Sequence, residues 1–347
     1  MFVAWRDLRF AKGRFALMGA VVVLITLLVG LLSGLTAGLA RDNTSAVSAL
    51  PADRLAFAAP PSGQSVSFTN SVVPSATWRQ WQRAPGVHEA QPLGVSTLNA
   101  TAGARTAAVS AFAVPHGSHL APATVRTGSV VLSRGAAEDL DAKAGDTVTL
   151  GGRPLSVLAV AGADSYSHTP VVWTALADDA PATVVALTLD AGADLAATDE
   201  RLATRSLTLS DALSALPSYQ AENGSLQLMR GFLFAISALV VGAFFTVWTI
   251  QRGGDIAVLK ALGASTPYLL KDALGQAVVM LTLGTLLGTG LASLAGALIG
   301  GAVPFVLDPS TTLGPAAVLV VLGVIGAALS IRRITAVDPL TALGSAR

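Results

Sequence analysis

Residues 15–40 read FALMGAVVVLITLLVGLLSGLTAGLA, twenty-six positions without a charged side chain. A helix rises ~1.5 Å per residue and needs ~20 apolar residues to cross the hydrocarbon core of a bilayer, so this stretch is long enough to span one. Arg6, Arg9, Lys12 and Arg14 precede it and Gly38-Leu39-Ala40 closes it, an outline shared with a secretory signal. The apolar part of such a signal runs only ~7–15 residues. A retained span is therefore the expected reading.

Three further stretches repeat the pattern. Gly231–Ile250 carries no charge, and none falls between Asp272 and Asp308 or between Asp308 and Arg332. Spans are expected at 15–40, 229–250, 273–302 and 313–331. They account for a charged fraction of 12%, about half that of an ordinary soluble domain. Lys and Arg in the short segments give the orientation. The amphipathic N-terminal segment 1–14 holds four, the loop 251–272 holds Arg252, Lys260 and Lys271, and the tail 332–347 holds Arg332, Arg333 and Arg347. The loop 303–312 holds none. The basic segments, with both termini, are expected in the cytosol, and residues 41–228 outside a cell membrane crossed several times. A net charge of +1 without any basic block excludes nucleic acid as a partner. The absence of cysteine excludes disulfides, thiol catalysis and Cys-held metals.

The segment 41–228 alternates short β-like runs with turn signals. Ser129–Val160 reads as a strand, a short helix, a turn at Gly145-Asp146, then two strands joined at Gly151-Gly152. Thr183–Leu189 reads as another strand, followed by a helical stretch from Asp194 to about Leu216. The fold class expected is an α-helical membrane protein with four transmembrane helices, one plus three, and an α+β extracytoplasmic domain between the first and second. His88, His116, His119 and His168 read as ordinary loop residues.

The sharpest motif is QRGGDIAVLKALGAS at 251–265. Asp255 is placed to cap a short helix, Ile256, Leu259 and Leu262 form an apolar stripe, and Gly263 ends it. Such a helix suits a partner's groove, or it lies flat on lipid. The motif resembles the coupling-helix signature of FtsX/MacB-type ABC transporter permeases, usually Q-R-x-x-E-I-A-x-L-K-A-L-G-A. Asp255 stands where Glu is usual, and Gly253-Gly254 replace bulkier polar residues. AVDPLTAL at 336–343 is similar to that family's V-D-P-x-x-A-L ending, and VVLSRGAAEDLDAKAGDTVTLGG to its outer domain. The resemblance covers nearly the entire chain. It implies a homodimer, two copies of a separate cytosolic ATPase, and docking on that ATPase through Asp255, Ile256, Leu259, Lys260, Leu262 and Gly263. No G-x-x-x-x-G-K-(S/T) loop is present, so ATP hydrolysis belongs to the partner and the chain itself is not an enzyme.

Within the family the compact form most resembles the stand-alone, HrtB-type haem-efflux permeases of Gram-positive bacteria. That implies haem as substrate, with no intrinsic cofactor. Glu222, Leu226, Met229 and Leu233 recur on one helical face, with Tyr219 a turn earlier and Phe232 beside them. Glu or Tyr offers an oxygen ligand to ferric iron, Met a ligand or ring contact, and Phe a surface for the porphyrin. Glu222 and Met229 lie about 10 Å apart along a helix, so one helix cannot bring both to one iron. Glu222 is the expected iron ligand, against the alternative of a solvated carboxylate near the headgroups. Gly30, Gly34 and Gly38 form a small-residue stripe in the first span, which suits helix packing or a slot that opens for substrate. A non-transporting, FtsX-like regulator of an extracytoplasmic partner stays open, as does another amphipathic substrate such as a peptide, lipoprotein or antibiotic.

Overall fold

The computed structural model describes residues 12–251, 254, 258, 262–299 and 303–335. It divides into an outer unit, Leu39–Gly224, and a helical unit made by the residues on either side of it.

Helix α1 (Lys12–Ser48) opens the described chain. There follow β1 (Arg54–Ala58), α2 (Ser75–Trp81), β2 (Val87–Ala102), β3 (Arg105–Val114), β4 (Ser129–Leu132) and α3 (Arg134–Leu140). Then come β5 (Thr147–Leu150), β6 (Arg153–Val160), β7 (Ser165–Tyr166), β8 (Thr169–Ala175), β9 (Val184–Leu189), α4 (Ala196–Leu202), β10 (Thr204–Thr208) and α5 (Leu209–Ala212). Helices α6 (Pro217–Gln251), α7 (Thr266–Ile299) and α8 (Pro309–Thr335) complete it.

Among the described residues, α1, α6, α7 and α8 are long and apolar enough to cross a membrane. They overrun the charge-free stretches. At ~1.5 Å per residue, the 37 residues of α1 exceed a ~30 Å hydrocarbon layer, and polar positions such as Asp42 and Asn43 continue the same helix. Small residues bring α1 and α7 together. A Cβ at Gly284 would lie 2.8 Å from Val22, one at Gly288 2.6 Å from Thr26, and one at Gly30 2.8 Å from Ala292. Each helix contributes every fourth residue, so the two faces mesh as successive turns. Met18, Val22, Val241, Phe245, Ala277, Leu281 and Ala327 form the buried apolar centre of this unit.

The outer unit is built on one sheet with strand order β10-β1-β9-β2-β3-β8-β4-β6-β5, and β7 pairs with β8. Strand β2 is long enough, at 16 residues, to serve three partners along its length, β9, β3 and β5. Its first half pairs with β9, and its far end meets β5 at Ala100↔Leu150, closing β2, β3, β8, β4, β6 and β5 into a ring. Val109, Val130, Leu132, Val148 and Val157 of these strands are buried together with Leu140 of α3 in one apolar core. Phe57, Phe68, Phe112, Tyr166 and Trp173 form a second core, and Trp78 and Trp81 of α2 cover a third against β9.

The strand–helix–hairpin reading of 129–160 matches β4, α3, β5 and β6, with Gly145, Gly151 and Gly152 all at positive φ in the turns. The expected helix from Asp194 to Leu216 is corrected. It ends at Leu202, Ala203 adopts φ +49°, and β10 follows as an edge strand paired with β1 from Arg54↔Thr208 to Ala58↔Thr204. The nonlocal ladder outweighs the local helix preference.

Candidate functional site

The β7–β8 hairpin turns in two residues. Ser165↔Pro170 and Tyr166↔Thr169 pair across it, and Ser167 and His168 sit at the tip with φ +51° and +62°. Both central residues of such a turn need the left-handed region, which Gly or Asn takes at least cost. A side-chain-bearing residue held there costs about 1–3 kcal/mol and persists only when its surroundings fix it. Here the surroundings come from two helix ends.

His168 Nε2 donates to Glu222 of α6, 2.8 Å from Oε1 and 3.0 Å from Oε2. His168 Nδ1 donates to Asp42 Oδ2 of α1 at 3.1 Å. Ionised carboxylates only accept, so an imidazole bridging two of them carries protons on both nitrogens. Burial lowers the His168 pKa, but the hydrogen bonds and negative charges of Glu222 and Asp42 outweigh it and hold the group above its ordinary value.

A neutral network backs the charged one. Asn43, fully buried, donates from Nδ2 to Glu222 Oε2 at 3.2 Å and accepts at Oδ1 from Ser218 Oγ at 2.9 Å. The Asn43 carbonyl accepts from Ser167 N at 2.9 Å, and Ser167 Oγ donates to Ser218 Oγ at 3.1 Å. Two residues further along α1, Ser45 Oγ accepts from Ser165 N at 2.9 Å. Burial raises the Asp164 pKa in the same hairpin, partly offset by the charge of Arg41, and burial pushes the Tyr166 phenol up as well.

The expected site residues fall in different places. Glu222 lies in the outer unit, half-buried, with both oxygens accepting hydrogen bonds. Tyr219 packs against the aromatic core. In the helical unit, Leu226 is half-buried, while Met229 and Phe232 are 49% and 65% exposed. The glycine stripe is filled by the chain's own residues. A Cβ at Gly34 would lie 2.2 Å from the Phe305 ring, and one at Gly38 2.0 Å from the Pro304 carbonyl oxygen. Phe305 presses equally on Gly296, so its ring is seated between two helices by their missing side chains.

Asp255, Ile256, Leu259 and Lys260 lie outside the described residues, as does the ending at 336–343. Leu262 is 79% exposed, and Gly263 takes φ +92°, the left-handed conformation expected after a helix. No group of three or more His, Cys, Asp or Glu side chains is arranged to hold a metal among the described residues. His116 and His119 go to separate partners, the Val125 carbonyl and the Gln91 amide. Sequence reasoning missed His168, Asp42 and Asn43, whose spacings of 54 to 179 residues from their partners leave no local signal.

Comparison with known proteins accords with this architecture. Residues 17–205 match the MacB-like periplasmic core domain, and residues 228–339 match the FtsX-like permease C-terminal family. A Staphylococcus haemolyticus protein bearing the name hemin transport system permease protein HrtB is 28% identical, with 99% of each chain covered. An uncharacterized ABC transporter permease of Mycobacterium bovis is 25% identical over 76% of this chain and 77% of its own. The pyoverdine export ATP-binding/permease protein PvdT of Pseudomonas fluorescens is 30% identical over 41% of this chain and 22% of its own length. An ABC permease of this kind implies an ATPase partner. Four apolar helices with a MacB-like domain between the first and second make this a multi-pass membrane protein with an extracellular domain, and the chain belongs to the FtsX/MacB family of ABC transporter permeases.

Proposed function

We propose that the chain is the permease subunit of a haem exporter, working as a homodimer with two copies of a separate cytosolic ATPase. The observation that carries this reading is the end-to-end similarity to the hemin-named permease, which covers 99% of both chains. In this reading both termini lie in the cytosol. The segment with Asp255, Ile256, Leu259, Lys260, Leu262 and Gly263 docks on the ATPase. Haem is the substrate, and its iron is taken by the Glu222 carboxylate, with Met229, Leu226 and Phe232 supplying apolar surface. An anionic oxygen ligand offsets the positive charge of a ferric porphyrin and lets go more readily than a histidine pair, which suits export.

The test uses the permease purified with its ATPase. Added hemin should give a shifted Soret band and stimulate ATP hydrolysis. Glu222→Gln keeps the shape and removes the charge, so it should weaken the band shift while basal hydrolysis persists. Hydrolysis that ignores hemin in the wild-type complex would favour the regulator over the exporter.

A further inference from the structure

Two features of the Glu222 carboxylate bear on how it could meet iron. First, its acceptor capacity is unevenly spent. A carboxylate offers about four lone-pair positions. His168 Nε2 lies against one on each oxygen, and Asn43 Nδ2 takes a second on Oε2. Among the described residues, the position left over belongs to Oε1. Second, the donor that straddles the two oxygens is itself fixed from behind. Asp42 holds the other ring nitrogen at 3.1 Å, and the imidazole hangs on a two-residue turn whose φ values favour glycine or asparagine. A strained backbone that delivers one side chain between two carboxylates is the kind of outlier that marks a functional constraint.

We propose that His168 is a positioning residue that presents Glu222 to haem iron as a monodentate ligand through Oε1, with Asp42 orienting the imidazole. The proposal rests on the haem reading above. Groups that hydrogen-bond a metal's ligands fix their orientation, and removing one typically weakens metal affinity about 10–100-fold. His168 does this for Glu222 before any substrate arrives. The carboxylate then loses little freedom on ligation, and bidentate approach is blocked because the Nε2–H occupies the space between the oxygens.

The experiment titrates hemin into the full permease–ATPase complex in nanodiscs, reading the Soret and charge-transfer bands. His168→Ala should weaken hemin binding about 10–100-fold and alter the spectrum. His168→Gln retains an N–H donor of similar reach and should recover most of the affinity, which a merely structural role would not predict. Replacing Ser167-His168 by Asn-Gly gives the turn its preferred residues and removes the imidazole. That double variant keeps the hairpin folded, as amide exchange at 165–170 would report, and should bind hemin as weakly as His168→Ala. Wild-type affinity and spectrum in the folded Asn-Gly variant would overturn the proposal, while loss of binding in Glu222→Gln in the same titrations would leave the haem reading standing. Failure of the wild-type complex to bind hemin at all would remove both.

Discussion

In the outer unit the Phe112 ring meets Tyr166 at 5.5 Å and Trp173 at 5.2 Å between centroids, edge to face in both cases. In the helical unit the tightest approaches run instead through residues that lack side chains, Gly30, Gly284 and Gly288 among them. The difference follows from the solvent each unit faces. In water, burying a large apolar side chain is favourable in itself, at roughly 25 cal/mol per Å². Lipid tails are as apolar as leucine, so helices in a bilayer gain nothing by that transfer. Their association depends on backbones approaching closely enough for dispersion contacts to add up.

The largest expected effect tests the aromatic side of the contrast. Phe112 is fully buried, so Phe112→Ala should destabilise the outer unit by about 3–5 kcal/mol. Tryptophan fluorescence during thermal unfolding should report it. Little change in α1–α7 packing should accompany it.

Gly34→Ala tests the other side. It adds one methyl 2.2 Å from the Phe305 ring, and overpacking of this kind costs about 1–3 kcal/mol. Adding Phe305→Ala should relieve the strain, so the pair should be strongly non-additive in a double-mutant cycle. An additive pair would show that the ring is not wedged against Gly34.

A smaller effect concerns the polar staple. The folded-state pKa of His168 lies above its unfolded value near 6.5. Its bonds to Asp42 and Glu222 therefore contribute in full below that value and are lost as pH rises through the higher folded one. Amide protection in the 165–170 hairpin, corrected for intrinsic exchange, should fall over that window, while protection around Phe112 holds. A flat profile would mean that the two carboxylates do not share an imidazolium.

The membrane helices were legible because their signal is one-dimensional: absence of charge over a known length. The 129–160 unit was legible for a similar reason, since its turns are marked by glycines that do sit at positive φ. Strand β10 was hidden because its pairing partner, β1, lies some 150 residues earlier. The candidate site was legible in half. Glu222 stands out as an acidic residue on an otherwise apolar helical face, whereas His168 sits in a turn with neither Asn nor Gly to announce it. Only the closure of the hairpin onto Asp42 and Glu222 gives that histidine a meaning.

That closure also bears on modularity. Asn43 and Glu222, near opposite ends of a 186-residue unit, are hydrogen-bonded at 3.2 Å, and Ser218 bonds Asn43 from the same side. A domain whose entry and exit segments meet can be inserted into a host much as a short loop would be, because once folded it presents the host with only the short gap between its ends. The outer unit has the geometry of a cassette.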